Sequence, residues 1–77
     1  MNKELSKIFY EIAELLEING VAYKPTAYRK AASVLENLEK DISLIYKKRG
    51  LNGIKEIPRI GDSIAKKIEE YLKKRKI

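Results

Sequence analysis

The sequence contains no cysteine and no histidine, and these two absences remove most of the usual chemistry of protein sites. Without thiols the chain forms no disulfide, offers no thiol nucleophile and lacks the common zinc ligands. Without imidazole, a proton transfer has to use lysine, tyrosine, a carboxylate or water. A metal ion would have to rely on other ligands, such as main-chain carbonyl oxygens.

Long apolar runs are also missing. No segment approaches the roughly 20 consecutive apolar residues that a bilayer-spanning helix needs, and the start of the sequence lacks the pattern of a signal peptide. We therefore expect an intracellular protein of the cytoplasm or nucleoid with no membrane partner. The 77 residues are 44% apolar, which is enough for the dense core of one small domain.

The charge is unevenly distributed along the chain. The net charge is +6, and residues 1–20 contain two basic and four acidic residues whereas residues 21–77 contain fifteen basic and seven acidic ones. One strongly basic portion favours a polyanionic partner, with nucleic acid ahead of an anionic membrane. The alternative is that lysine simply keeps a small protein soluble, and charge alone does not decide between them.

Apolar residues recur at helical spacing and no segment alternates like a strand, which predicts an all-α bundle of four to five helices. The first helix is predicted near residues 3–18 and ends at Asn19-Gly20. Its apolar face is expected to comprise Leu5, Ile8, Phe9, Ile12, Leu15 and Leu16. The second is predicted from Pro25 to Leu38, because proline suits a first helical turn. Its inward residues are expected to be Ala27, Tyr28, Ala31, Val34, Leu35 and Leu38.

The second half of the chain shows shorter helical segments. Asp41 is placed to cap a short third helix that ends at Gly50. Asn52-Gly53 is a turn signal, and a brief helical piece follows it. Asp62 is predicted to cap the last helix, residues 62–75.

The turn IPRIG, residues 57–61, leads into that last helix. A helix N-terminus attracts anions because its first amides lack partners and the helix dipole is positive there. Gly61 leaves room for a phosphate to approach the main chain, whereas the carboxylate of Asp62 would compete for the same amides. The turn is therefore either a phosphate site or an ordinary connector.

Two adjacent lysines on the last helix are separated by helical geometry. Lys66 lies about 160° from the centre of the apolar face and is expected to face solvent, whereas Lys67 lies about 100° away, beside Tyr71. A lysine at such an edge loses hydration, and the neutral amine is the form that attacks an aldehyde to give a Schiff base. The alternative, a boundary lysine that only extends its ammonium into water, is far commoner.

The run AYKPTAYRKAA, residues 22–32, interleaves aromatic and basic residues. Lys24, Arg29 and Lys30 can follow phosphates while Tyr23 and Tyr28 stack on bases, which is typical of a surface for single-stranded nucleic acid. The alternative is that Tyr28 belongs to the core. We expect Tyr28 to be partly buried and Tyr23 to be exposed.

Two stretches together, TAYRKAASVLENL and IKEIPRIGDSIAKKIEEYL, resemble the N-terminal, lyase-type domain of family X (polymerase beta-like) DNA polymerases. The similarity covers nearly the whole chain and is weakest over residues 1–22. It implies a single helical DNA-binding domain over residues 1–77, with a helix-hairpin-helix motif at about 51–75. In the family this domain binds gapped or nicked DNA on the 5′-phosphate side and is linked to a polymerase catalytic domain. Many members also remove 5′-deoxyribose phosphate through a Schiff base and β-elimination.

The resemblance also implies roles for individual residues. The family's Schiff-base lysine lies six residues after the second glycine of the hairpin, which is Lys67 here, and water or a nearby glutamate would accept the proton. Lys24 resembles a lysine that holds the 5′-phosphate, Tyr28 the tyrosine of the pocket, and Tyr23 a residue that stacks on a template base. No cofactor is implied beyond a monovalent cation (Na or K) held by three main-chain carbonyls, those of Lys55, Ile57 and Ile60.

The sequence departs from the family pattern inside the hairpin. Arg59 replaces the first glycine of P-G-[IV]-G, so either its φ is ordinary or the turn is altered, and it either adds a phosphate contact or obstructs one. Ser63 stands where a second phosphate-binding lysine is often found, and Lys66 replaces a common glutamate. Three functions stay open: a lyase that binds broken DNA, a non-catalytic DNA anchor, and a helical adaptor for an acidic protein.

Overall fold

The computed structural model describes residues 1–75, the last of them without its side chain. This part contains no strand and four helices, namely α1 (Asn2–Ile18), α2 (Lys24–Asn37), α3 (Ile42–Lys55) and α4 (Asp62–Arg75). The predicted all-α bundle is confirmed, and the predicted ends of the first, second and last helices agree to within one residue. No helix in these residues is both long and apolar enough to cross a bilayer.

The turn between α1 and α2 follows from its glycine. Gly20 has a φ of 74°, and its N–H donates to the Glu17 carbonyl while the Val21 N–H donates to the Leu16 carbonyl, both at 3.0 Å. This pair of bonds is a Schellman motif, which ends the helix and satisfies its last carbonyls. Pro25 lies in the first turn of α2, as predicted.

Small side chains let α1 and α2 pack closely. Ala31 and Ala32 are fully buried, and the buried Ser6 hydroxyl donates to the Ala32 carbonyl at 2.8 Å. Two predicted core residues are not in the core, because Leu15 is 59% exposed and Ala27 is also exposed. The buried face of α1 follows residues 5, 9 and 13, and Leu15 falls on the far side of it; Ala27 lies at the edge of the face of α2.

Helix α3 is divided by a kink. Asp41 caps it as predicted, because its carboxylate accepts the Ser43 N–H at 2.8 Å. Gly50 interrupts the helix with φ 64° and ψ −154°. The predicted turn at Asn52-Gly53 is wrong, because both residues are helical. Gly53 serves close packing instead: a Cβ there would lie 2.6 Å from the Arg49 Cβ.

Isoleucines hold the turn between α3 and α4. The Ile57 N–H donates to the Ile54 carbonyl at 3.1 Å, and the Ile60 N–H donates to the Ile57 carbonyl at 3.2 Å. The side chains at positions 54, 57, 60 and 64 are all at most 8% exposed. Their spacing of three or four residues turns each into the core, so the hairpin is fixed by burial as well as by main-chain bonds.

The cap of α4 is one residue earlier than predicted. The Gly61 carbonyl accepts the Ala65 N–H at 2.9 Å, so Gly61 is the cap and Asp62 is the first helical residue. The Asp62 carboxylate lies 3.9 Å from the Lys55 ammonium. The prediction of Asp62 as the cap is therefore wrong, and its side chain pairs with the end of α3.

The two helical pairs, α1–α2 and α3–α4, share one core. Asn2 joins their ends, because its side chain donates to the Lys40 carbonyl and accepts from the Ile42 N–H, both at 2.7 Å. The Tyr46 hydroxyl donates to Glu69 at 2.9 Å, which ties α3 to α4, and this bond raises the pKa of Tyr46. The buried apolar side chains are Leu5, Phe9, Ala13, Ala31, Ala32, Leu35, Ile42, Ile54, Ile57, Ile60, Ile64, Ala65, Ile68 and Leu72.

Candidate nucleic-acid interface

Two neighbouring cavities meet at Tyr28 and Lys67. The first, of about 290 Å³, is lined by Tyr23, Lys24, Ala27, Tyr28, Ser63, Ile64 and Lys67. The second, of about 330 Å³, is lined by Ile8, Phe9, Ile12, Tyr28, Lys67, Glu70, Tyr71 and Lys74. Tyr28 and Lys67 border both cavities, so the tyrosine from α2 and the lysine from α4 stand between them.

Tyr28 is positioned by an aromatic contact with α1. Its ring meets the Phe9 ring at a centroid distance of 5.3 Å and an interplanar angle of 81°. Phe9 is buried and Tyr28 is half-buried, which confirms the predicted partial burial of Tyr28. The ring therefore contributes to the core on one side and borders the cavities on the other.

Tyr23 stands at the mouth of the first cavity. Its side chain is 91% exposed, as predicted. Its φ is 69°, and the Lys24 N–H donates to the Ala22 carbonyl at 2.8 Å across it, which makes Tyr23 the centre of a γ-turn. That conformation is rare for a residue with a side chain. The turn leaves a large aromatic ring in solvent beside an exposed lysine, which is the arrangement that base stacking needs.

Lys67 lines both cavities but is more exposed than the sequence predicted. Its side chain is exposed, so the expectation of a half-dehydrated amine is wrong. The reason is its place on α4, where only one side of the lysine faces Tyr28 and Tyr71 and the other faces solvent. The structure nevertheless brings Lys67 together with Lys24 and Tyr28, two residues that lie some forty positions earlier in the sequence.

The other predicted basic residues lie outside these two cavities. Arg29 forms an ion pair and hydrogen bond with Glu17 of α1, which lowers the pKa of Glu17 and raises that of Arg29. Lys30 and Lys66 are exposed. The aromatic and basic residues of α2 are thus divided: Tyr23, Lys24 and Tyr28 reach the first cavity, whereas Arg29 is paired with α1.

The hairpin has a left-handed backbone conformation at Arg59, which stands in place of the first glycine of the family pattern. Arg59 has a φ of 71°, so it adopts the left-handed conformation at a position where the resemblance implies glycine, and its side chain is exposed. A Cβ built on Gly61 would meet no atom within 4 Å. The space in front of the first turn of α4 is therefore open, which supports the expectation that a phosphate can approach the main chain there.

The predicted cation ligands lie at the end of α3 and within this turn. Lys55 is the last residue of α3, and the Ile57 carbonyl accepts the Ile60 N–H at 3.2 Å. A carbonyl oxygen has two lone pairs, so this bond leaves Ile57 one for a cation. A monovalent cation held by the main-chain carbonyls of Lys55, Ile57 and Ile60 stays a prediction. Within residues 1–75 no cluster of three or more acidic side chains could hold a metal ion.

The structure adds a carboxylate that sequence reasoning did not identify. Glu70 lines the second cavity with Lys67, and its carboxylate lies 3.6 Å from the Lys74 ammonium. The signal was present in the sequence, because residues three apart in a helix lie on the same face. The sequence alone gave no reason to choose Glu70 over Glu69. The choice depends on the positions of α1 and α3, which lie on either side of α4.

A comparison with protein families agrees with this architecture. A family model described as a helix-hairpin-helix domain matches residues 1–77, the whole chain. No curated protein and no solved structure matches the chain. Helix-hairpin-helix domains typically bind DNA.

Proposed function

This chain belongs to the helix-hairpin-helix domain family, and from that premise we propose that it binds gapped or nicked DNA on the 5′-phosphate side of the break. One observation carries the proposal: Lys24 and Tyr28 of α2 meet Lys67 of α4 around a single cavity of about 290 Å³. A cavity with two lysines and an aromatic wall suits a terminal sugar phosphate, since the ammonium groups attract the phosphate and the ring packs on the sugar.

Phosphate binding in this proposal uses charge and open main chain together. Lys24 binds the 5′-phosphate at the first cavity, and the first amides of α4 bind a neighbouring phosphate next to Gly61. Arg59, exposed in the turn, adds a third contact. The net charge of +6 provides the long-range attraction, so binding weakens steeply as salt is raised.

We further propose that the domain is a 5′-deoxyribose phosphate lyase. The Lys67 amine attacks C1′ of the abasic sugar and water leaves, which gives a Schiff base. Loss of a C2′ proton follows, the C3′–O bond breaks, and the 3′-side phosphate leaves with the bonding electrons. Hydrolysis then releases the sugar phosphate from Lys67. In this role the chain works inside the cell as the N-terminal module of a family X repair polymerase or beside one.

A second candidate is a DNA anchor without chemistry, and two observations favour it. Lys67 is exposed, so it lacks the dry surroundings that most readily produce a neutral, nucleophilic amine. Ser63 lines the first cavity where the resemblance implies a further phosphate-binding lysine. The exposure of Lys67 weakens the lyase but not DNA binding, because a phosphate contact needs only positive charge. The serine at position 63 weakens the hold on the 5′-phosphate that the lyase needs, while Lys24 and Arg59 remain for DNA binding.

Covalent trapping separates the two candidates. The protein is mixed with DNA that carries an incised abasic site, and borohydride reduces any Schiff base to a stable adduct. We expect an adduct with the unaltered protein and with Lys73→Ala, a matched charge change elsewhere on α4, and none with Lys67→Ala. Salt-sensitive DNA binding without an adduct would contradict the lyase and support the anchor. Failure to bind DNA at all would contradict both and leave the adaptor for an acidic protein.

A further inference from the structure

We infer that Glu70 accepts the C2′ proton in the elimination step, an inference that rests on the lyase proposed above. Among the described residues that line the second cavity, Glu70 is the one carboxylate. It shares that cavity with Lys67 and lies three residues after it on α4. A base three residues away on the same helix face can reach the carbon next to the one that bonds to Lys67.

The two consecutive glutamates of α4 have different surroundings. Glu69 faces α3 and accepts the Tyr46 hydroxyl at 2.9 Å. Glu70 faces the groove between α1 and α4. A step of one residue rotates the side chain by about 100° around the helix, which is enough to place one carboxylate on α3 and the other at the cavity of Lys67. Of these two glutamates, Glu70 is therefore the one placed to meet a sugar bonded to Lys67.

Lys74 pairs with the Glu70 carboxylate at the rim of this cavity. The Lys74 ammonium lies 3.6 Å from one oxygen of Glu70, and both residues line the cavity. A carboxylate can accept about four hydrogen bonds, so this pairing leaves it able to accept a proton from the substrate. Lys67, Glu70 and Lys74 thus form a stripe along α4 in which a carboxylate stands between two amines.

The elimination step needs no reactant other than water. In the Schiff base, C1′ is bonded to the Lys67 nitrogen as an iminium, which makes the neighbouring C2′ proton acidic. Glu70 takes this proton, and the C2′–H electron pair becomes the C1′–C2′ double bond of an enamine. The nitrogen lone pair then re-forms the iminium at C1′, the C1′–C2′ π pair becomes a C2′–C3′ double bond, and the phosphate on C3′ leaves with the C3′–O bonding pair. Water then takes the proton from Glu70.

The experiment measures Schiff-base formation and elimination separately. Incised abasic DNA is given to the unaltered protein, to Glu70→Gln and to the control Glu69→Gln, whose amide oxygen can still accept from Tyr46. Borohydride trapping reports the Schiff base, and strand release without borohydride reports elimination. We expect Glu70→Gln to trap the adduct normally while its elimination slows about a hundredfold, the lower end of what a general base contributes. Glu69→Gln should retain both.

The other outcomes identify which proposal has failed. Elimination by Glu70→Gln within about threefold of the unaltered rate, far below the contribution of a general base, would overturn the role of Glu70 and leave the lyase standing. Loss of both trapping and elimination in a folded, DNA-binding Glu70→Gln would also overturn it, because the residue would then act before the Schiff base. Absence of an adduct with the unaltered protein would overturn the lyase itself.

Discussion

The ring of Tyr28 packs edge-on against the ring of Phe9, with centroids 5.3 Å apart. This contact joins a core residue of α1 to a residue of α2 that borders both cavities. Phe9 is 2% exposed, so its position is set by the packing of the whole bundle. The position of Tyr28 is therefore set by the core, and a substitution in the core should change the geometry of the two cavities.

Shortening Phe9 should destabilise the domain through this contact. Phe9→Leu removes the aromatic pair and part of the buried area, so we expect the free energy of unfolding to fall by about 1–2 kcal/mol. Tyr28→Phe keeps both rings and should stay within about 0.5 kcal/mol of the unaltered protein. Urea denaturation measures both. Equal stability of all three proteins would show that the ring contact contributes little.

Arg59 should be strained in its present conformation. Its φ of 71° suits glycine better than a residue with a Cβ, so Arg59→Gly should be more stable than Arg59→Ala by about 1 kcal/mol. Both variants lose the guanidinium. If Arg59 contacts a phosphate, each should lower the salt dependence of DNA binding by about one phosphate contact. A stability of Arg59→Ala at or above that of Arg59→Gly would argue against strain.

Alanine substitutions at Gly53 and Gly61 should affect different properties of the protein. A Cβ on Gly53 would lie 2.6 Å from the Arg49 Cβ, whereas one on Gly61 meets nothing within 4 Å. Because the Arg49 Cβ cannot rotate away, we expect Gly53→Ala to lose about 1–3 kcal/mol of stability. Gly61→Ala should lose less stability, about 0.5 kcal/mol for the poorer N-cap, but it should bind nicked DNA more weakly, since the methyl group occupies the approach of a phosphate. Thermal unfolding and a DNA titration of both variants test this contrast.

The cap of α3 should give the stability a specific pH dependence. Hydrogen bonds from the Ser43 hydroxyl and N–H lower the pKa of Asp41 below its ordinary value. Because the folded pKa lies below the unfolded one, the stabilisation is complete above the unfolded pKa and is lost as the pH falls through the folded pKa. We expect Asp41→Ala to cost about 1 kcal/mol at pH 7 and progressively less below about pH 4. A cost independent of pH would contradict this account.

The signals that sequence analysis interpreted correctly are local ones. Gly20 ends α1 with a left-handed residue, Pro25 lies in the first turn of α2, and Asp41 caps α3. The cluster of Lys24, Tyr28 and Lys67 was also predicted, by matching two separated motifs to one family. Local chemistry and a family pattern together were sufficient for the architecture and for the proximity of these three residues around one cavity, while their functional roles stay predictions.

The errors have a common physical cause, which is that burial depends on partners that the sequence does not name. Leu15 is apolar yet exposed, since none of the other described helices covers its side of α1. Asn52-Gly53 has the composition of a turn, yet both residues are helical, and Gly53 lies in close contact with Arg49 one helical turn earlier. Lys67 is exposed for the same reason, since the depth of the groove between α1 and α4 depends on their packing.

Lys24 and Tyr28 belong to the α1–α2 pair, whereas Lys67 and Glu70 belong to the α3–α4 pair. The two cavities therefore form between the two helical pairs, and they exist only while these pairs are docked against each other. A broken DNA end that contacts both helical pairs would bind tightly only to molecules in which the two pairs are already docked, and its binding would stabilise that docked state. Mutations at distant core positions that loosen this docking would then reduce substrate capture without altering any residue that touches the sugar.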